Sequence, residues 1–329
     1  MTKQDHANMN GERFDGPGIA AVLSREYGIA VDAIVPQKGG WTSLAYRIEA
    51  PEGVFFLKAY EKSRTSIAGW IMRIDDYIPI VSWLGTHGME NRIASPVPTR
   101  DMKSKCEDAR HVYVLFHYVD GYTIGDAQLT VGQVRQLADI VADLHSHGEE
   151  LPFPFGKLRE DFSLPFGDRL DWLAGSGLSS LPENVGGVVL PFAADIGNTL
   201  SRTKRLAAEL RRSGLAFVLC HTDLHQWNMM QTKDTLVLID WEGIRLAPAE
   251  ADLFMIAEKP FFADFMAVYR RRRNGIRINA TVIEYYSLRR KLEDIWEWIE
   301  QICHEPLEPD ERNSALSILA EECAALASG

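Results

Sequence analysis

The sequence predicts an α+β fold in two parts, a small antiparallel sheet followed by a larger helical region. Three observations carry that expectation. Period-two apolar runs crowd the first part of the chain: VDAIVPQ (31–37), SLAYRIEA (43–50), VFFLKAY (54–60) and HVYVLFHY (111–118). A break, VDGYT, follows at 119–123. Beyond it, apolar residues recur at helical spacing, as at Val131, Val134, Leu137, Ile140, Val141 and Leu144. The chain of 329 residues, 46% hydrophobic, has room for more than one domain-sized unit.

Each element has a local reason. Residues 1–17 are polar and lack an apolar signal core, so they read as a mobile tail. IAAVLSREYG (19–28) has helical spacing and ends on Gly28, a natural left-handed terminator. Gly39-Gly40 separates the first two strands, and Pro51-Glu52-Gly53 turns the second into the third, which suggests a meander. DDYIPIVSWLGTHG (75–88) reads as a helix entered through Asp75 and Asp76, with Pro79 near its first turn. Further helices are expected over 130–147, over 195–212 and in most of the chain from 249 on. Two β-like runs, FVLCH (217–221) and TLVLIDW (235–241), interrupt that helical part. The expected division is a tail over 1–17, one lobe over 18–118 and a second over 119–329.

Composition narrows the partners. A net charge of -11 speaks against a nucleic-acid polymer, which needs a basic face, and suits a cationic ligand. Solubility alone also accounts for such a charge. The four cysteines, Cys106, Cys220, Cys303 and Cys323, form no CxxC pair and fit a reducing cytoplasm. No run approaches the ~20 apolar residues that a membrane span needs, so no membrane partner is expected. Nothing in the sequence specifies an oligomeric state.

The chemistry concentrates in HTDLHQWN (221–228). One reading is a metallohydrolase. His221, Asp223 and His225 alternate, so a strand would put them on one face, but a zinc site needs further ligands and an open position. The other reading is phosphoryl transfer, and the chain supplies more of its parts. H-T-D-L-H-Q-W-N matches H-x-D-L-x-x-x-N at every specified position. Asp240 ends an apolar run, Lys58 lies on the third strand, and Gly40, Thr42 and Ser43 precede the second as a place for a phosphate-covering loop. Alone, Asp223 and Asn228 read as loop caps and Lys58 as a solvated strand residue.

On these residues, and on LIDWEGIRLAPAEADL (238–253), the chain resembles the aminoglycoside phosphotransferase family, which has a two-lobed protein-kinase-like fold. It looks most like the spectinomycin (aminocyclitol) branch, with bacterial stress-response kinases next. The resemblance runs from about residue 18 to the C-terminal helices. It implies transfer of the γ-phosphoryl group of ATP, or GTP, to a hydroxyl of a small cationic substrate, with Mg²⁺ and antibiotic resistance as the outcome. Asp223 would be the base, Asn228 and Asp240 would hold Mg²⁺, and Lys58 would contact the α- and β-phosphates. Backbone groups of Phe116, His117 and Tyr118 would receive adenine. Asp252 and His221 would support the catalytic loop. His225, Trp241, Glu242, Glu293 and Asp294 are candidates for a substrate pocket, with core packing and surface charge as the plain alternatives. A metabolic kinase of the same fold, for choline, homoserine or sugar-amine substrates, would share every catalytic residue.

The departures carry information. The glycine loop is not G-x-G-x-x-G, and the acidic partner of Lys58 is open, with Asp75 or Asp76 as candidates. Thr222 stands where protein kinases have the arginine of H-R-D, and only eleven residues separate Asp240 from Asp252. That is too short for a phosphorylated regulatory loop, which favours a small-molecule substrate.

Overall fold

The computed structural model describes residues 15–37, 42–175, 177–305 and 307–327. The expected tail over 1–14 and the Gly39-Gly40 loop lie outside these residues. A helix already begins at Gly16, inside the stretch expected as tail. This first helix, α1 (Gly16–Glu26), is capped by Asp15, whose carboxylate accepts from Gly18 N at 2.9 Å. It ends before Gly28, which takes a φ of 75°.

Three strands follow as the expected meander: β1 (Ala33–Gln37), β2 (Leu44–Ala50) and β3 (Gly53–Glu61). Alternation decides which residues face where. Phe55, Leu57 and Ala59 point to one face of β3, where Ile19, Val22 and Leu23 of α1 cover them. Lys58 and Tyr60 are therefore sent to the opposite face, and both are buried there.

The next helix corrects an expectation. It is α2 (Ala68–Leu84), so it starts well before Asp75, and Pro79 lies inside it. The buried stripe of Ile74, Tyr77, Ile78 and Val81 runs straight through the proline. Packing of that stripe outweighs the backbone hydrogen bond that Pro79 removes.

The sheet is completed by β4 (Pro96–Val97), β5 (Cys106–Glu107) and β6 (His111–His117). Its order is β1-β2-β3-β6-β4, with β5 also on β6. The break at 119–123 contains a short strand, β7 (Gly121–Thr123). Helix α3 (Val131–Leu144) opens with a full capping box between Thr130 and Gln133.

Helices α4 (Gly167–Ala174), α5 (Glu183–Val189) and α6 (Ala193–Leu210) precede the region that holds HTDLHQWN. That region is built on four short strands. They are β8 (Val218–Cys220), β9 (Met229–Thr232), β10 (Leu236–Leu238) and β11 (Arg245–Ala247). β10, β9 and β7 form one sheet, and β11 pairs with β8 as a ribbon. The chain ends in α7 (Glu250–Leu253), α8 (Phe262–Arg272), α9 (Ala280–His304) and α10 (Pro309–Ala327).

Two compact units result. One runs to Arg159 and resumes over Phe217–Arg277; the other comprises Glu160–Ala216 and the chain from Ile278 on. The second unit is helical, with a core that includes Leu170, Leu200, Leu292, Ile295 and Leu319. Among the described residues no helix is long and apolar enough to cross a membrane.

Candidate active site

All the chemistry-bearing residues of HTDLHQWN, together with Lys58 and Asp240, fall in the first unit. The Nζ of Lys58 donates to Asp240 Oδ1 at 2.7 Å and also to Glu242 Oε1. Glu242 Oε1 accepts a second hydrogen bond from the Tyr60 hydroxyl at 2.8 Å. Burial alone would push the Lys58 ammonium down, but the Asp240 and Glu242 carboxylates outweigh it and hold the pKa above its ordinary value. Burial first, and the Glu242 charge second, raise the Tyr60 phenol, so it stays a donor. The acidic partner of Lys58 is thus Glu242, not Asp75 or Asp76. Asp75 is engaged elsewhere, 2.9 Å from Lys105 Nζ. From α2 it is Tyr77 that approaches the Lys58 cluster, buried beside Tyr60 and Glu242.

Asp240 reaches this position through backbone geometry. It follows β10 and takes a left-handed φ of 62° before the turn Trp241–Gly243. That twist puts the Asp240 and Glu242 side chains on the same ammonium.

The loop after β8 carries the second cluster. Asn228 Nδ2 donates to Asp223 Oδ2 at 2.9 Å and to the Asp223 carbonyl at 3.0 Å. His225 Nε2 lies 3.3 Å from the same Oδ2. One carboxylate oxygen therefore receives two nitrogens, which fixes the orientation of Asp223. The Asn228 carbonyl accepts from Ile239 N at 3.1 Å, so Asn228 is tied to the residue before Asp240. With its amide nitrogen committed, Asn228 offers its Oδ1. That oxygen and the Asp240 carboxylate are hard oxygen donors, of the class that could hold Mg²⁺.

Asp252 is bonded to the start of this loop. It is fully buried and accepts from His221 N at 3.0 Å and Thr222 N at 2.5 Å. It also bonds His145 Nε2 at 2.8 Å, and His145 Nδ1 in turn meets Tyr269 at 2.7 Å. His145 was not expected here; in the sequence it only follows Leu144, the last residue of the apolar helical stripe. Both ring nitrogens of His221 are engaged. Its Nε2 donates to the Ile239 carbonyl at 2.9 Å, and its Nδ1 accepts from Asp223 N at 3.3 Å.

Those bonds leave His221 no nitrogen for a metal. His221, Asp223 and His225 do not converge as a ligand set among the described residues. The trio whose donor atoms do lie within 4.8 Å of one another is His145, Cys220 and Asp252. It is wholly buried, and its histidine and aspartate are spent on the bonds above.

Other expected residues fall differently. Trp241 is 2% exposed, packs its ring 4.5 Å from that of His221, and donates Nε1–H to the Leu238 carbonyl. It is core, not a pocket wall, and Glu242 serves Lys58. Glu293 and Asp294 lie on α9 in the second unit, paired with Arg289 and Arg290. Ser43 is buried before β2, and Gly40 lies outside the described residues. Two backbone donors assigned to adenine are already used. His117 N donates to the Ser95 carbonyl at 2.9 Å and Tyr118 N to that of Val54 at 3.2 Å. Phe116 stands in the β3–β6 ladder opposite Phe56.

Solved structures share this architecture. A spectinomycin phosphotransferase, APH(9)-Ia, in complex with ADP and spectinomycin, aligns with a TM-score of 0.73 at 19% identity, over 97% of this chain and 100% of that one. The amicoumacin kinase hAmiN, with AMP-PNP, Ca²⁺ and Ami, aligns at 0.63 and 15% identity over 96% and 94%. A microcompartment-associated aminopropanol kinase aligns at 0.60 and 18% identity over 94% and 96%. At these identities the likeness establishes a kinase-like fold. No curated protein matches the chain. The model of the phosphotransferase enzyme family (APH) matches residues 33–311, and the chain therefore belongs to that family of phosphotransferases.

Proposed function

We propose that the protein transfers the γ-phosphoryl group of ATP, or GTP, to a hydroxyl of an aminocyclitol or aminoglycoside such as spectinomycin, and so confers resistance in the cytoplasm. The observation that supports this most directly is the constellation of Lys58 on Asp240 and Asn228 on Asp223. The match in fold to a spectinomycin phosphotransferase over the full chain adds to it.

In this reading, residues 18–118 cover the nucleotide and 119–329 carry the catalytic loop and substrate pocket. Lys58 orients the α- and β-phosphates. With the N–H groups of His117 and Tyr118 engaged, adenine is received by the remaining backbone groups of 116–118. Asp223 accepts the proton of the acceptor hydroxyl as its oxygen bonds to the γ-phosphorus and the bond to the β-phosphate oxygen breaks, leaving ADP. Mg²⁺ on Asn228 and Asp240 would supply neutralisation of the phosphate charge. His225, whose Nε2 lies 3.3 Å from Asp223 Oδ2, is the pocket candidate beside the base.

The test is an ATP-consumption screen across aminocyclitols, aminoglycosides and choline-like amino alcohols, with ³¹P NMR locating the phosphate. Turnover with spectinomycin or a close aminocyclitol is expected. Turnover confined to metabolic amino alcohols or sugar amines would replace the antibiotic with a metabolic substrate.

A further inference from the structure

Thr222 is a β-branched residue held at a φ of 70°, a conformation that costs such a side chain dearly. Glycine would adopt it freely. Two bonds hold Thr222 there. Its N–H donates to Asp252 Oδ1 at 2.5 Å, and its hydroxyl donates to the Gly243 carbonyl at 2.8 Å. The first bond needs only a backbone and would survive in glycine. The second needs the hydroxyl.

The location gives that hydroxyl its meaning. β8 and β11 pair with Cys220 opposite Arg245, and the ladder ends at this rung. One strand leads through Thr222 into Asp223. The other leads back through Gly243 to Glu242 and Asp240. The approach is close on both sides. A Cβ added at Gly243 would lie 2.5 Å from Thr222 Oγ1 and 2.9 Å from the His221 carbonyl oxygen.

We propose that Thr222 is a positioning residue whose hydroxyl locks the loop of the base Asp223 in register with the turn that carries Asp240 and Glu242. This rests on the reading of Asp223 and Asp240 as base and metal ligand. Without the lock, both clusters persist but their separation drifts, and in-line transfer is sensitive to displacements of that kind.

The experiment compares T222S, T222V and T222G in the full chain, by steady-state ATP consumption and by thermal unfolding with ATP alone and with Mg·ATP. T222S keeps the hydroxyl and should turn over within about threefold of wild type. T222V and T222G should lose tenfold or more in kcat, with KM for ATP within about twofold. T222G should melt higher than T222V, since glycine accepts the left-handed backbone, yet be no faster. That separates the tie from simple stability. The extra rise in Tm that Mg²⁺ adds to ATP should shrink in T222V and T222G and persist in T222S. Wild-type-like kcat in T222V and T222G overturns the proposal. If wild type consumes no ATP with any acceptor, the functional reading fails on its own. The Mg²⁺ increment then decides the lock, and an unchanged increment in all three variants overturns it.

Discussion

Lys58 Nζ and Asp240 Oδ1 lie 2.7 Å apart across 182 residues of sequence, and Glu242 shares the same ammonium. The lysine that would hold phosphate and the aspartate that would hold metal are therefore assembled by one short turn. Removing Glu242 leaves a buried ammonium with a single, partly exposed partner. Glu242→Ala should cost about 3 kcal/mol of unfolding free energy, the range for breaking a buried pair. It should also raise KM for ATP by about tenfold, equivalent to about 1.4 kcal/mol. Urea unfolding and steady-state kinetics measure both. A loss below about 1 kcal/mol would mean that Asp240 alone secures Lys58.

Asp223 is held at Oδ2 by Asn228 and His225. Asp223→Asn keeps shape and volume but removes the proton acceptor. General-base help is worth about 10²–10⁴ in rate, so kcat should fall by that factor. The affinity for Mg·ATP, measured by titration calorimetry, should stay within about threefold. Retention of kcat would remove Asp223 from the role of base.

How much of this the sequence shows depends on the range of each signal. The strand meander was legible because alternation is local, and it alone sends Lys58 and Tyr60 to the face opposite Phe55 and Leu57. The contact between Asp223 and Asn228 was legible because a short motif fixes their spacing. The partner of Lys58 was not. Asp75 and Asp76 looked suitable while α2 was read as starting beside them; with its start at Ala68, they lie mid-helix and Asp75 reaches Lys105. Glu242 wins because Asp240 adopts a left-handed backbone, which no spacing announces. The partners of the hinge N–H groups were not legible for a related reason. HVYVLFHY reads as one strand, but which of its N–H groups are spent depends on Ser95 and Val54, brought alongside by the sheet.

Asp252 accepts from two backbone N–H groups and from His145 at complete burial. Asp252→Ala would strand three buried donors, each worth roughly 1–3 kcal/mol when unsatisfied. A loss of at least about 3 kcal/mol is expected, with activity lost in step because His221 and Thr222 flank Asp223. Asp252→Asn keeps one acceptor oxygen and should recover part of both. If Asp252→Ala unfolded at wild-type denaturant concentration, the brace would carry no load.

Asp294 supplies a prediction independent of catalysis. Burial on α9 pushes its carboxyl up to about 6 from an ordinary 3.8, although Arg290, at 2.7 Å, pulls the other way. The folded state thus holds this proton more tightly than the unfolded chain. The resulting stability is fully present below pH 3.8 and is lost as pH rises through about 6. A neutral amide mimics the protonated acid at every pH. The full shift would correspond to roughly 3 kcal/mol at about 1.36 kcal/mol per unit. The side chain remains 24% accessible, and Asp294→Asn forfeits a surface-type pair with Arg290, so solvent screening trims the net gain to about 1 kcal/mol. Asp294→Asn should therefore exceed wild type by about 1 kcal/mol at pH 7.5 and equal or fall slightly below it at pH 4. Chemical denaturation at the two pH values measures the difference. A gain that did not change with pH would show that Asp294 is ionised in the folded protein as readily as in the unfolded one.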